Sequence, residues 1–225
     1  MPDETQTRPL ILASASPRRR ELLGRLRLPF IARPTDVDEI ALEAAFDGPP
    51  EDLALHLARH KAAAGLTALS AEESAANAVI IAADTTVLLD GSILGKPRDA
   101  DEAWEMLRRL RGRAHVVRTG VVVQPATGAA VSAAVSTRVV MRPFSDDEIA
   151  RYIASGDPFD KAGSYAIQHP VFQPVEQIDG CATNVIGLPI CQLARLLRGL
   201  GMAVPTPAPL PNGCEWDARC RPAND

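Results

Sequence analysis

Residues 78–97 read AVIIAADTTVLLDGSILGKP. The run 78–83 is continuously apolar, the pattern of a strand covered on both faces. Asp90-Gly91, between VLL and ILG, is a hairpin turn signal. Between them stands Asp84, an ionisable group directly after a buried strand. Such a group is costly unless it is paired, metal-bound or catalytic. Ligands in α/β sheets also gather at strand carboxyl ends. The segment therefore predicts a central strand and, at Asp84, the centre of a site.

Working outward, PLILA (9–13) reads as a short buried strand, and Ser16 and Pro17 as the N-cap and first position of a helix through RRRELLGRL. Residues 29–34 read as extended. A helix is expected over Glu51–Ser70, with Leu53 and Leu57 four apart. After the hairpin, Asp99-x-x-Glu102 resembles a capping box opening AWEMLRRLR. Residues 115–123 and 129–141 are β-rich around PATG and read as a hairpin. Ser145-x-x-Glu148 caps a helix stopped by Gly156, and a last helix begins near Pro189. Strands and helices mix without strict βαβ alternation, which favours a mixed α/β sheet with a cleft. The Pro-rich tail from Pro205 reads as an extension, giving a main domain over 1–203 and an extension over 204–225.

The 225 residues carry a formal net charge of −4, with 46% hydrophobic and 23% charged residues. A sizeable core is expected, and wholesale disorder is excluded. Mild acidity argues against long nucleic acid as a partner. No apolar run approaches the ~20 residues of a membrane helix, and the N-terminus lacks a secretory h-region. A soluble, cytoplasmic protein is the expectation. Cys181, Cys191, Cys214 and Cys220 form no CxxC pair, so neither a zinc site nor a disulfide framework is supported, although Cys214 and Cys220 are near enough in sequence to pair. His56 and His60 are four apart but lack the glutamate of HExxH, and read as helix-surface residues.

The cations are more informative. Of 24 Lys and Arg, only Lys61, Lys96 and Lys161 are lysines. A surface cation tolerates either residue, whereas a site that needs a compact ammonium does not tolerate the planar fork of Arg. The three lysines are therefore enriched for such sites. Arg18, Arg19 and Arg20 occupy the first turn of the first expected helix, where the dipole disfavours cations and an anion relieves the penalty. Successive helical residues point about 100° apart, so at most two of the three can address one ligand. Residues 36–52 hold seven acids and no Lys or Arg, a carboxylate supply suited to a hard cation or, equally, a solvated charge run. In Asp160-Lys161-Ala-Gly163-Ser-Tyr165-Ala-Ile-Gln168, small residues beside a Lys and an amide suggest close backbone approach to a ligand.

Six motifs together resemble the Maf family of nucleotide pyrophosphatases, the septum-formation-inhibitor-like proteins: LILASASPRRRELL (10–23), VDE (37–39), AADTTV (82–87), LGKP (94–97), DKAGSYAIQ (160–168) and NVIGLPI (184–190). They follow the family's order across residues 9–200. The resemblance implies an elongated mixed sheet flanked by helices, with two lobes and a central cleft, similar to inosine-triphosphate pyrophosphatases. It implies divalent-metal-dependent hydrolysis of a nucleoside triphosphate to monophosphate and pyrophosphate, and a homodimer. The family's catalytic aspartate falls on Asp84; its other cleft residues fall on Ser14, Arg19, Glu39, Lys61, Lys96, Asp160 and Lys161. By the same resemblance Glu39 and Asp84 would hold Mg²⁺ or Mn²⁺, and Lys61, Lys96 and Arg19 would hold phosphate. Arg18, Thr85 and Gln168 match the branch that resembles dTTP/UTP pyrophosphatases and differ from the 7-methyl-GTP branch. His169-Pro170 follow where many members carry glycine, which implies a differently shaped loop. The competing readings are a nucleotide-binding regulator of cell division without turnover, a broad pyrophosphatase for modified nucleotides and, more distantly, a nucleotidyltransferase.

Overall fold

The computed structural model describes residues 8–205; Cys214, Cys220 and the expected extension beyond Pro205 lie outside them. Seven strands form one mixed sheet: β1 (Leu10–Leu12), β2 (Ile31–Ala32), β3 (Val79–Leu89), β4 (Ser92–Leu94), β5 (Ala114–Pro125), β6 (Val131–Met141) and β7 (Val175–Asp179). The order is β2-β1-β3-β5-β6-β7, with β4 also paired to β3. β1 runs parallel to β2 and β3, and the remaining pairs are antiparallel.

β5 lines one edge of β3 from Val79↔Pro125 to Leu88↔Val116. β1 and β4 must therefore share the other edge. β1 pairs at Val79–Ile81 and β4 at Val87–Leu89. Between them, around Ala82–Thr86, no strand among the described residues pairs with this edge of β3. Two lobes thus share one spine and leave a gap at its middle.

The cores divide at the same place. One cluster joins Val79, Ile81 and Ala83 of β3 to Leu22, Leu23 and Leu26 and to Leu193 and Leu197, on α1 (Pro17–Gly24), the turn after it and α8 (Ile190–Gly199). The opposite face packs Ile80 and Ala82 on Ala58 and Ala62 of α3 (Leu53–Thr67). A separate cluster gathers Val87, Leu89, Leu107, Leu110, Phe144 and Tyr152, drawing on α5 (Ala100–Leu110) and α6 (Asp146–Ala154). The belt between carries Asp84, Thr85 and Thr86 on β3, facing Gly120, Thr119 and Arg118 on β5.

α3 comes close to the sheet because its inner stripe is small: Ala54, Ala58, Ala62 and Gly65 are buried with Lys61 among them. A Cβ on Gly120 would lie 2.4 Å from Leu55 Cα, and one on Gly65 2.8 Å from Ile80 Cγ2. This contact depth sets Lys61 over the belt.

Most expected elements are present, with informative differences. The central strand does not end at Ala83; it continues to Leu89, so Asp84 is mid-strand rather than at a strand end. The apolar run stops where the two cores separate, not where pairing stops. The acidic segment contains α2 (Glu39–Ala44), capped by Asp38, whose side chain accepts from Ala41 N–H. The helix expected over Glu51–Ser70 is a 3₁₀ turn (Pro50–Asp52) followed by α3, which ends at Thr67; a further short helix, α4 (Ala71–Ala75), follows behind a Ser70–Glu73 capping box. Asp99 caps α5, but Glu102 turns its carboxylate to the Arg98 N–H instead of closing the box. Asp90 and Gly91 both have positive φ, 52° and 75°, as a two-residue hairpin requires. α7 (Ala182–Ile186) precedes α8. No helix among the described residues is long and apolar enough to cross a membrane.

Candidate active site

Side chains alternate across a strand, so Asp84 and Thr85 face opposite sides of the sheet. Asp84 faces α3. Its Oδ1 accepts from Lys61 Nζ at 2.5 Å, and the same ammonium is 2.9 Å from Glu39 Oε2. The Lys61 and Asp84 side chains are 9% and 10% exposed, Glu39 38%. One buried cation thus holds two carboxylates from different elements, and Asp84 Oδ2 has no partner among the described residues. Glu43, four residues beyond Glu39 on α2, completes an acidic flank. Burial, then Asp84 and Glu39, push its carboxyl above the usual range, while Lys96 and Lys61 oppose the rise. Lys96 itself is exposed and forms no hydrogen bond or ion pair among the described residues.

On the other face, Thr85 Oγ1 is 2.9 Å from Thr119 Oγ1 and accepts from Arg19 Nη2 at 3.3 Å. Arg19 Nε donates to the Gly187 carbonyl at 2.9 Å. Loss of water lowers the Arg19 pKa below its ordinary value; Asp84 and Glu39 oppose the shift and Arg18 adds to it. No carboxylate among the described residues pairs with Arg19, which leaves its charge available to an anion. Ser14 is buried where β1 meets α1, its Oγ accepting from Ser16 N–H at 3.2 Å.

Arg18 points elsewhere, as the angular spacing of helical residues requires. Its Nη1 donates to Asp160 Oδ2 at 2.9 Å and its Nη2 to the Asp160 carbonyl at 3.4 Å. Lys161 also binds Asp160, and burial works to raise the Asp160 pKa, but the bonds from Lys161 and Arg18 hold it below the ordinary value. This contact joins α1 of one lobe to the loop after α6 in the other. Gln168 is exposed in the turn after Ile167, and no bond among the described residues ties it to Arg18 or Thr85. Of the expected residues, the structure thus gathers Asp84, Lys61 and Glu39 on one face, Arg19 and Thr85 on the other, and Arg18 and Asp160 at the rim with Lys161 buried behind them. The sequence shows Glu43 as one of the seven acids of 36–52 without singling it out; its i,i+4 relation to Glu39 is the available signal once α2 is recognised. Nor does the sequence single out Thr119, set beside Thr85 by strand register.

The donor set can be weighed against a divalent cation. No group of three or more His, Cys, Asp or Glu able to hold an ion occurs among the described residues. Glu39 and Asp84 nevertheless converge on one cation, Lys61. Mg²⁺ commonly uses one or two carboxylates and completes its shell with phosphate oxygens and water, so the pair fits a cation that arrives with a polyphosphate.

Comparison with known proteins agrees in extent with the motif pattern. A family model described as "Maf-like protein" matches residues 9–200. A protein of Anaeromyxobacter dehalogenans named dTTP/UTP pyrophosphatase is 45% identical over 203 residues, 89% of this chain and 98% of that one. A protein of the same name from Thermomicrobium roseum is 47% identical over 198 residues, 88% and 87% of the two chains. Another, from Burkholderia thailandensis, is 45% identical over 210 residues, 90% and 100%. A solved nucleoside-triphosphatase / dITP/XTP pyrophosphatase of Mycobacterium abscessus is 14% identical, with a TM-score of 0.36 over 60% of this chain and 75% of that one.

Proposed function

The chain belongs to the Maf family, and on that premise we propose that it hydrolyses nucleoside triphosphates to the monophosphate and pyrophosphate, with dTTP and UTP as its preferred substrates. The observation that carries the reading is the Lys61 ammonium clasped by Asp84 and Glu39 in a polar belt, with the carboxylate-free cations Arg19 and Lys96 also in the cleft. A triphosphate brings about four negative charges, which must be countered before water can attack phosphorus. Arg19 and Lys96 supply that charge. Lys61 has three N–H donors, two of them directed at carboxylates, and keeps one for a phosphate oxygen.

Asp84 Oδ2 takes the proton of the water that attacks the α-phosphorus. Lys61 on Oδ1 fixes the carboxylate plane and leaves Oδ2 to the water. Glu39 and Asp84 are the residues that would hold a Mg²⁺ or Mn²⁺ ion, which when bound would supply neutralisation of phosphate charge and polarisation of the phosphoryl oxygen. Base recognition falls to Arg18, Thr85 and Gln168, the positions shared with the branch resembling dTTP/UTP pyrophosphatases.

The test is an acceptor-free panel of dTTP, UTP, CTP, GTP, ITP, ATP and 7-methyl-GTP with Mg²⁺ or Mn²⁺. Products are resolved as monophosphate plus pyrophosphate, and Asp84→Asn is run alongside. Preference for dTTP and UTP, with turnover lowered at least ~10²-fold by Asp84→Asn, is the expected result. Near-wild-type turnover by the variant removes Asp84 from the reaction. Tight nucleotide binding with no turnover of any substrate returns the chain to the regulator reading.

A further inference from the structure

Lys161 stands in the family's cleft motif, yet its geometry leaves it nothing to give a phosphate. An ammonium has three donors. Lys161 Nζ spends them on the Asp157 carbonyl at 2.5 Å, Asp157 Oδ1 at 2.9 Å and Asp160 Oδ1 at 2.6 Å. Its side chain is 9% exposed. The next bonds run in both directions. Asp157 Oδ2 accepts from Tyr152 Oη at 2.6 Å, and Asp160 Oδ2 accepts from Arg18 Nη1 at 2.9 Å. Tyr152 Oη in turn accepts from the Ala166 N–H at 3.1 Å.

The order is therefore Tyr152, Asp157, Lys161, Asp160, Arg18. Each carboxylate oxygen in the chain receives one side-chain donor. Two cations and two anions make it electrically closed, so it needs no ligand charge to form. One end is rigid: Tyr152 is 2% exposed and stacks on Phe172 with ring centroids 4.3 Å apart and planes 16° apart. The other end, Arg18, is at the rim and uses two of its five N–H donors on Asp160, which leaves three for a ligand.

We infer that Tyr152 and Asp157 are positioning residues for base recognition, holding the Arg18 guanidinium through Lys161 and Asp160. The inference rests on the proposed role of Arg18 and deepens it. It gives Lys161 a place in the bonded series that orients Arg18 rather than a phosphate-binding one. A residue that acts only through Arg18 changes substrate affinity and selectivity, not the chemical step, and its effect vanishes once Arg18 is gone.

The experiment measures kcat and KM for UTP and CTP in the wild type, Asp157→Asn, Tyr152→Phe, Arg18→Gln and the two doubles with Arg18→Gln. Asp157→Asn is expected to raise KM for UTP about tenfold and Tyr152→Phe about threefold, with kcat within about twofold and a smaller UTP preference over CTP. In the Arg18→Gln background, neither change should alter KM further. Tyr152→Phe removes a single hydroxyl and carries the test if Asp157→Asn does not fold. Losses that multiply in the double variants, or that fall on kcat alone, overturn the inference. A wild type without preference for UTP overturns the base-reading assignment and this inference together. A selective wild type whose variants stay equally selective overturns this inference only.

Discussion

Lys61→Met separates the electrostatics of the belt from its packing. Methionine keeps an unbranched stem beside the Ala58 and Ala62 stripe and removes the ammonium with its hydrogen bonds. The ammonium is 2.5 Å from Asp84 Oδ1 and 2.9 Å from Glu39 Oε2. An exposed pair at such distances would contribute at most ~1 kcal/mol. Here two of the three side chains are about one-tenth exposed, so deletion leaves Asp84 as an uncompensated buried charge beside a second carboxylate. Breaking a buried pair from one side costs about 3–5 kcal/mol. Glu39, at 38% exposure, is screened and adds little. For a domain of this size the loss corresponds to a melting temperature lowered by roughly 6–20 °C. Melts are recorded by calorimetry with chelator and without nucleotide, because either ligand would stabilise the native state by mass action. The decisive comparison is Lys61→Met/Asp84→Asn. Removing the second charge abolishes the orphan, so the double variant should melt above the single one although it carries more changes. A single variant within about 2 °C of wild type, or a double variant less stable than the single, refutes the reasoning.

Lys96→Met should behave oppositely: the side chain is exposed and unpartnered among the described residues, so stability should change by less than ~0.5 kcal/mol while KM for the triphosphate rises about tenfold, both read on one preparation by melting and initial rates. Gly120→Ala should destabilise by about 3 kcal/mol in a denaturant titration, because the new Cβ would meet Leu55 Cα at 2.4 Å and the Ala54 carbonyl at 2.7 Å, backbone atoms that cannot turn aside. His115, buried with Nε2 2.6 Å from Tyr165 Oη, has its pKa lowered by burial from 6.5 to about 4. Above pH 6.5 neither state is protonated; between 6.5 and 4 only the unfolded chain binds the proton, so stability falls as pH drops through that window, by up to about 3 kcal/mol. His115→Phe should flatten the melting temperature between pH 6.5 and 5, and an unchanged slope would remove His115 as its source.

What the sequence disclosed follows what each pattern physically reports. Hydrophobic continuity reports a core, so it located Val79–Ala83 and missed the continuation through Asp84–Thr86, where the strand crosses between two cores. Periodicity reports a buried face, and α2 has none: no residue of Glu39–Ala44 is buried, and Ile40 is 82% exposed. The helix is invisible for that reason, so nothing singles Glu43 out from the acidic run of 36–52. Caps are legible at Ser16 and Ser145 because they are local, and Ser70 caps α4 in the same way. The scarcity of lysine singled out three ammonium sites but could not distinguish their uses. Lys61 is shared by two carboxylates, Lys161 is saturated by the loop around it, and Lys96 is unpartnered among the described residues. That distinction depends on residues 23, 22 and 4 positions away, on other elements as well as the same turn. Tyr152 reads in sequence as one more apolar position of α6, and only its hydroxyl, 2.6 Å from Asp157, gives it a second role.

The placement of Asp84 and Thr85 on opposite faces of one strand constrains how a nucleotide can engage both. A ligand confined to one face of the sheet would reach only one of them. The phosphates cross, on the proposed reading, at the unpaired stretch of the β3 edge between β1 and β4. On the proposed reading, the reacting phosphate then lies toward α3 with Asp84, Lys61 and Glu39, and the base lies toward α1 with Thr85 and Arg18. Chemistry and base selection are thereby assigned to different faces of the sheet, which lets one change without the other. Arg19 is the exception. It donates to the Thr85 hydroxyl, yet its charge is drawn by Asp84 and Glu39. A change at Thr85 that releases Arg19 should therefore alter phosphate binding as well as base preference, whereas a change at Asp160 should alter base preference alone.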